Sequence, residues 1–262
     1  MKYGVSLPNM GPAGDLVALG VAAEAAGYDG VFLWDHLHFV RDAHLEVHDP
    51  WVLLGALAAR TSRVMLGTMV TPVARRQPWE LAKQVVTLSH LTEGRVILGV
   101  GLGEPAADEF EMFGLDGDDR VRAARLDEYL AVLDGIWTGE PFQFSGDHVT
   151  LDVDLKPAPV APVPIWVAGK WPGTKPFRRA AARQGVVPIA PSGEPMRPEV
   201  YAEIAASCGA PRAGFDVVAS VLEGVPASAY EAAGATWAIW STWPFDGWQQ
   251  DLRRVISAGP PT

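Results

Sequence analysis

Four of the six histidines, His36, His38, His44 and His48, fall within thirteen positions, just after the apolar run Gly30–Trp34 and the acidic Asp35. An imidazole that titrates near neutral pH offers two chemistries, metal ligation and proton transfer. Ligation by a His-x-His pair at a strand end would need further His, Lys or Asp ligands on later strand ends. The remaining histidines do not supply them, because His90 sits in a helical stretch and His148 in a turn, so no metal site is expected. Proton transfer needs one well-placed ring, and His36, beside Asp35 at the strand end, is the one we favour over a histidine merely tied to a loop carbonyl. His38, His44 and His48 read as surface loop residues. A second chemical position is Glu104, which follows Gly101-Leu102-Gly103. Its competing reading is an exposed carboxylate without a role, and the two glycines alone are weak evidence because they also relieve crowding at a strand end.

These residues need a scaffold, and the stretch Val64–Glu104 shows its form. The apolar run Val64–Val70 ends in Thr71-Pro72, a helix with Leu81, Val85, Leu88 and Leu91 on one stripe begins at Pro78, and Arg95 opens a second apolar run through Val100. Two strands of like pattern around one crossover helix form a parallel unit, whose chemistry sits at the C-terminal strand ends. The same rhythm predicts strands at Tyr3–Leu7, Gly30–Trp34, Ile165–Ala168, Val186–Ala190, Asp216–Leu222 and Thr236–Ser241, the Val186 strand being weakened by Pro188. Helices are predicted at Asp15–Ala26, from Asp49-Pro50 to about Arg60, along Leu126–Trp137, at Pro176–Arg183, Pro198–Ser207, Ala227–Ala233 and Trp248–Ser257. A hairpin through Phe142-Gln143-Phe144 and Val149-Thr150-Leu151, then a proline-rich connector, interrupt the rhythm between about 140 and 164. Eight alternations predict one α/β domain over residues 1–262, a TIM (β/α)8 barrel with a small hairpin insertion before its fifth strand. The competing doubly wound sheet normally carries a Gly-rich loop after strand one, and Pro8-Asn9-Met10-Gly11-Pro12 has the wrong spacing.

Composition narrows the partners. A net charge of −10 without a basic block argues against nucleic acid and against an anionic membrane surface. The single Cys208 and a start that leads straight into a strand give a reducing cytoplasm as the expectation.

Gly67-Thr68-Met69-Val70, Thr71-Pro72, Arg75-Arg76-Gln77-Pro78 and Gly94-Arg95 through Gly103 resemble the corresponding unit of the luciferase-like flavin monooxygenases. The resemblance covers most of residues 1–185 and thins beyond, where Gln184-Gly185-Val186-Val187-Pro188 replaces the usual Asp-Gly-Trp and the lid insertion is trimmed. It implies a barrel that binds FMN or the deazaflavin F420. Asp35-His36 is then similar to the Asp-His pair facing the reactive edge of the ring, and Glu104 to the glutamate of the deazaflavin-dependent sugar dehydrogenases. Glu104 tilts the expectation toward F420.

The resemblance also implies a bulge with a non-proline cis peptide at Met69-Val70 behind the ring, with Thr68 as a hydrogen-bond partner or an ordinary buried threonine. It places the cofactor phosphate near Gly169 and Lys170, where glycine allows close approach and a helix start offers N–H groups. Arg75 and Arg76 are the runner-up basic pair. Trp171 and Trp243, beyond strand ends, are the expected pocket tryptophans. Two mechanisms stay open: oxygenation of a small organic substrate through reduced FMN, or hydride exchange through F420, for which a shorter lid is less harmful. A separate flavin or F420 reductase and a homodimer are the implied partners. A flavin-binding protein without turnover is the alternative from another class, and a sugar-phosphate barrel finds thin support in Lys170 alone.

Overall fold

The computed structural model describes residues 1–210 and 212–261. Ten strands occur: β1 (Lys2–Leu7), β2 (Gly30–Leu33), β3 (Met65–Pro72), β4 (Val96–Gly101), β5 (Phe142–Ser145), β6 (Thr150–Val153), β7 (Ile165–Lys170), β8 (Gly185–Ile189), β9 (Asp216–Ser220) and β10 (Trp237–Ser241). Eight of them close a parallel barrel in chain order, while β5 and β6 pair antiparallel as the inserted hairpin. The closed order excludes the doubly wound sheet. Helices α1 (Ala13–Ala25), α2 (Pro50–Ala58), α3 (Pro78–Leu91), α4 (Ala106–Glu109), α5 (Asp119–Ile136), α6 (Lys175–Ala181), α7 (Glu199–Ser207), α8 (Ala227–Ala232) and α9 (Trp248–Ala258) connect them.

Local chemistry explains most boundaries. The Asp49 side chain accepts hydrogen bonds from the N–H groups of Trp51 and Val52, and Pro50 opens α2 where a missing N–H costs nothing. Helix α1 starts two residues earlier than Asp15, at Ala13, because Pro12 fixes its entry. Pro188 is buried within β8 beyond the part that pairs with β9, which stops at Gly185 and Val186, and stays in register with Gly169 of β7.

Two apolar layers form. The larger lies between strands and helices and includes Leu16, Leu54, Leu81, Val85, Leu130 and Phe177; the smaller fills the barrel with Phe32, Ile97, Trp166, Ala168, Val187, Val218, Trp237 and Ile239. Phe32, Trp166 and Trp237 stack as a plug, with ring centroids 5.2–5.7 Å apart. Gly185 makes this possible, because a β-carbon there would collide with the Trp166 indole. Above the plug the inward positions are small at Ser6, Gly101, Ala168, Ser220 and Ser241, following the register of the barrel strands, while Trp34 stays large and donates to Ser6 Oγ (3.1 Å).

Candidate active site

The loop from Trp34 to Asp49, which leaves β2, is stapled at both ends by one buried residue. Asn9 Nδ2 donates to the carbonyls of His36 (2.9 Å) and His48 (2.6 Å), and Asn9 Oδ1 accepts from the His36 N–H (3.3 Å). Asn9 is fully buried.

Below the loop lies a network of charges. Asp35, expected to act with His36 in catalysis, is sealed from solvent and accepts from Arg75 Nη2 (2.7 Å), Arg76 Nη2 (2.7 Å) and Thr71 Oγ1 (2.8 Å). It is an anchor for β3 and its loop. Arg75 and Arg76, the runner-up phosphate pair, are spent here; Arg75 is 2% exposed and also binds Glu109. They are unavailable to an external phosphate.

Glu109, at the end of α4, is the residue that sequence reasoning missed. Its buried carboxylate accepts from His36 Nδ1 (3.0 Å), from Arg75, and from the N–H groups of Leu37 (3.1 Å), His38 (3.3 Å) and Phe39 (2.8 Å). Burial pushes its pKa upward, yet the His36 hydrogen bond and the Arg75 charge outweigh burial and hold it at about 2. Phe39 stands in the left-handed region with φ 74°, a conformation that costs a side-chain-bearing residue about 1–3 kcal/mol and that the Glu109 contacts enforce. The carboxylate thus fixes the ring and the turn after it. His36 is 18% exposed at its side chain, and no hydrogen bond engages its Nε2 among the described residues.

The peptide Met69-Val70 is cis, at the bulge where the β3–β4 register shifts between Thr68 and Thr71. Both side chains pack on top of the barrel plug. A β-carbon at Gly101 would come within 2.8 Å of Val70 Cγ2, and one at Gly99 would meet the Thr68 carbonyl, so these glycines make room for the bulge. Thr68 is wholly buried; its hydroxyl lies 3.2 Å from the Gly99 carbonyl and 2.9 Å from Thr71 Oγ1. It ties the bulge to β4. Gly103, at φ 84°, lies against Pro72 and Phe110 and has a turn-forming reason to be glycine.

Glu104 and Lys170, assigned separately as proton carrier and phosphate ligand, meet each other at 2.6 Å on the rim above the neighbouring β4 and β7, each 53% exposed. Gly169 is a packing glycine, since a β-carbon there would strike Pro176. The expected N–H cradle is weakened by that same proline, the second residue of the seven-residue α6. Trp171, partly exposed, packs its ring edge-on against Phe177 of α6, 5.0 Å between centroids. Trp243 does stand at the mouth, 5.7 Å edge-on from Trp34. Arg122 is a further missed residue: buried on α5, its guanidinium holds the carbonyls of Leu102 and Gly103 and lies 4.7 Å over the Phe110 ring. It therefore clamps the segment that carries both Glu104 and Glu109. A concavity of about 730 Å³ lies elsewhere, between α3 and the hairpin beside Trp79, Lys83 and Leu155, and holds none of these groups.

A closed barrel whose second strand ends in a carboxylate-held histidine, beside a bulge in its third, defines a class. The chain belongs to the luciferase-like monooxygenase family, whose sequence pattern matches residues 1–257, well past the point where the resemblance thins by eye. Among curated proteins it is 38% identical over 206 residues to the F420-dependent glucose-6-phosphate dehydrogenase of Amycolatopsis mediterranei, covering 77% of this chain and 59% of that one. It is 38% identical over 174 residues to the enzyme of the same name from Nakamurella multipartita, covering 65% and 50%. The chain thus spans between half and three-fifths of the length of these relatives. Among solved structures, an F420-dependent secondary alcohol dehydrogenase and the coenzyme F420-dependent tetrahydromethanopterin reductase of Methanopyrus kandleri each share the fold with a TM-score of 0.79 over 97% of both chains, at 18% and 16% identity. No helix among the described residues is long and apolar enough to cross a membrane, and they contain no group of three or more His, Cys, Asp or Glu that could hold a metal ion.

Proposed function

We propose that this protein is an F420-dependent oxidoreductase that exchanges hydride with a small organic substrate. The observation that carries the reading is His36, fixed through Nδ1 by Glu109 and free at Nε2 at the end of β2, beside the Met69-Val70 bulge. The curated relatives are F420-dependent enzymes, which favours the deazaflavin over FMN. The residues present fit such a group: Ser220 and Ser241 end β9 and β10 with small side chains, and Met69 and Val70 of the bulge lie above the barrel plug. Met69 and Val70 would back the ring, and Lys170 with Lys175 would meet anionic parts of the cofactor. When bound, F420 supplies a ring carbon that takes up or releases hydride.

The chain's own residues handle position and protons. A Glu109 carboxylate accepts the Nδ1–H of His36 and leaves Nε2 to face the mouth. Such a ring takes a hydroxyl proton as hydride leaves the adjacent carbon, and returns it in the reverse direction. Asp35, Arg75 and Arg76 balance the buried charge so that Glu109 need not take up a proton itself. A separate reductase that recycles the cofactor, and a homodimer, belong to the same proposal.

Substitution of His36 by Ala tests it. Turnover is expected to fall by ~10²–10⁴-fold, the range for removal of a general acid–base group, while F420 affinity changes little. Equal turnover by the variant would overturn the role of His36, and tight F420 binding without turnover of any alcohol or carbonyl compound by the parent protein would favour a binding protein.

A further inference from the structure

The stretch Pro8-Asn9-Met10-Gly11-Pro12, which follows β1, lacks the spacing of a phosphate loop, and the structure gives it another task. It runs beside the end of the loop that leaves β2. The His48 N–H donates to the Asn9 carbonyl (2.8 Å), the Gly11 N–H donates to the Glu46 carbonyl (2.8 Å), and Met10 and Val47 form an antiparallel bridge between them. His36, at the start of that loop, has no backbone–backbone hydrogen bond among the described residues. The Asn9 side chain takes the place of one. Its Nδ2 donates to the His36 and His48 carbonyls and its Oδ1 accepts the His36 N–H, so one buried amide holds both the N–H and the C=O of His36. A planar amide supplies two donors and an acceptor at once, and a leucine of similar volume would leave three backbone groups unpaired.

The other polar restraints on His36 come from the opposite side. Glu109 holds the ring through Nδ1 and binds the N–H groups of Leu37, His38 and Phe39. Asp35 is held by Arg75, Arg76 and Thr71, and Arg75 joins the two carboxylates. All of these partners lie on β3, on the loop after it, or on α4. Barrel order places β2 between β1 and β3, so Asn9 is the hydrogen-bonding contact that ties His36 to the β1 side. The need for a grip from both sides shows at Phe39, where a left-handed φ of 74° strains the turn three residues on.

We propose that Asn9 is a positioning residue of this site: it fixes the His36 backbone to the loop after β1, so that the ring turned by Glu109 keeps one distance from Trp34 and from the mouth. Asn9 touches no reacting atom and acts through His36. In the F420 reading above, on which the chemical consequence rests, the ring must hold its geometry closely, since a shift of about 1 Å costs on the order of 10²-fold in rate.

Trp34 reports the position of the ring without substrate or cofactor. The two rings lie 5.7 Å apart, close enough for a protonated imidazole to interact with the indole and quench its emission. Tryptophan fluorescence of the purified protein is titrated across the imidazole range, and the curve of His36→Ala is subtracted to remove the contributions of His38, His44 and His48. Glu109, with a pKa of about 2, does not titrate there. The parent is expected to show a His36-dependent step. Asn9→Leu, which keeps the volume and removes the hydrogen bonds, should reduce that step by more than half while the far-UV dichroism stays that of the parent. If Asn9→Leu does not fold, Asn9→Ser, with one hydroxyl left, should show a smaller reduction. With F420 and 2-propanol or cyclohexanol as probes, kcat of the same variant should fall by about 10²-fold while F420 affinity stays near the parent's. A full step in the variant would overturn the proposal, because Asn9 would then only fill space. A parent without the step, or a reduced step with unaltered kcat, would overturn it as well. Failure of the parent to bind F420 or to turn over either alcohol counts against the cofactor reading, and the fluorescence step still decides Asn9.

Discussion

Glu109 and Arg75 each sit at a point where one substitution separates structure from chemistry. In Glu109→Gln the amide keeps its shape but loses the charge that orients His36, so kcat should fall while cofactor affinity holds, and the acidic limb of the kcat profile should move, which a pH–rate series would reveal. An unchanged profile would mean that His36 does not work through Glu109. Arg75→Met removes the cation shared by two buried carboxylates, and breaking such a pair costs about 3–5 kcal/mol. Urea unfolding should report a loss of that size, and a loss under about 1 kcal/mol would show the network to be hydrated. His36 and Asp35 were legible in the sequence because they close an apolar strand run. Glu109 was not, because its partners lie 34 and 73 positions away, and a buried glutamate within Ala106–Phe110 carries no local mark. Arg75 and Arg76 were legible as cations and misread as free, since the sequence does not show which carboxylates they face.

At the level of elements, the β3 bulge and the glycines of β4 depend on one another. The sequence displays Gly99, Gly101 and Gly103 as a motif that could suit a ligand, whereas the structure gives each a contact with β3 or the loop after it. Gly99→Ala should therefore destabilise the fold by about 1–3 kcal/mol through overpacking. Thermal unfolding checks this, and a stability equal to the parent's would remove the close contact as the reason for glycine. Strand and helix identities were readable from period and capping, as at Asp49-Pro50 and the Val64–Val100 unit. The destinations of strand-end side chains were not: Trp171 and Trp243 look alike in sequence, yet one turns to α6 and the other to the mouth, a choice made by Phe177 and Trp34.

For the whole molecule, the acidic balance and the buried network set a pH limit. Glu109 has an ordinary carboxylate pKa of 4.5 when unfolded and about 2 when folded. Its contribution is therefore full above pH ~4.5 and lost as pH falls toward 2, on the order of 3 kcal/mol. Stability measured by denaturant between pH 6 and pH 2.5 should fall in that window, and the fall should be smaller in Glu109→Gln. The closed barrel itself was the most legible feature, since eight alternations of strand and helix admit few other layouts. What the mouth binds depends on charges converging from distant loops, which period and composition do not encode. The most direct measurement is a competitive equilibrium titration of the cofactor-free protein with F420 and FMN, oxidised and reduced, followed by tryptophan quenching. The account predicts saturable F420 binding at concentrations where FMN gives none; preference for reduced FMN, or binding of neither up to about 1 mM, where affinity is worth only about −4 kcal/mol, would contradict it.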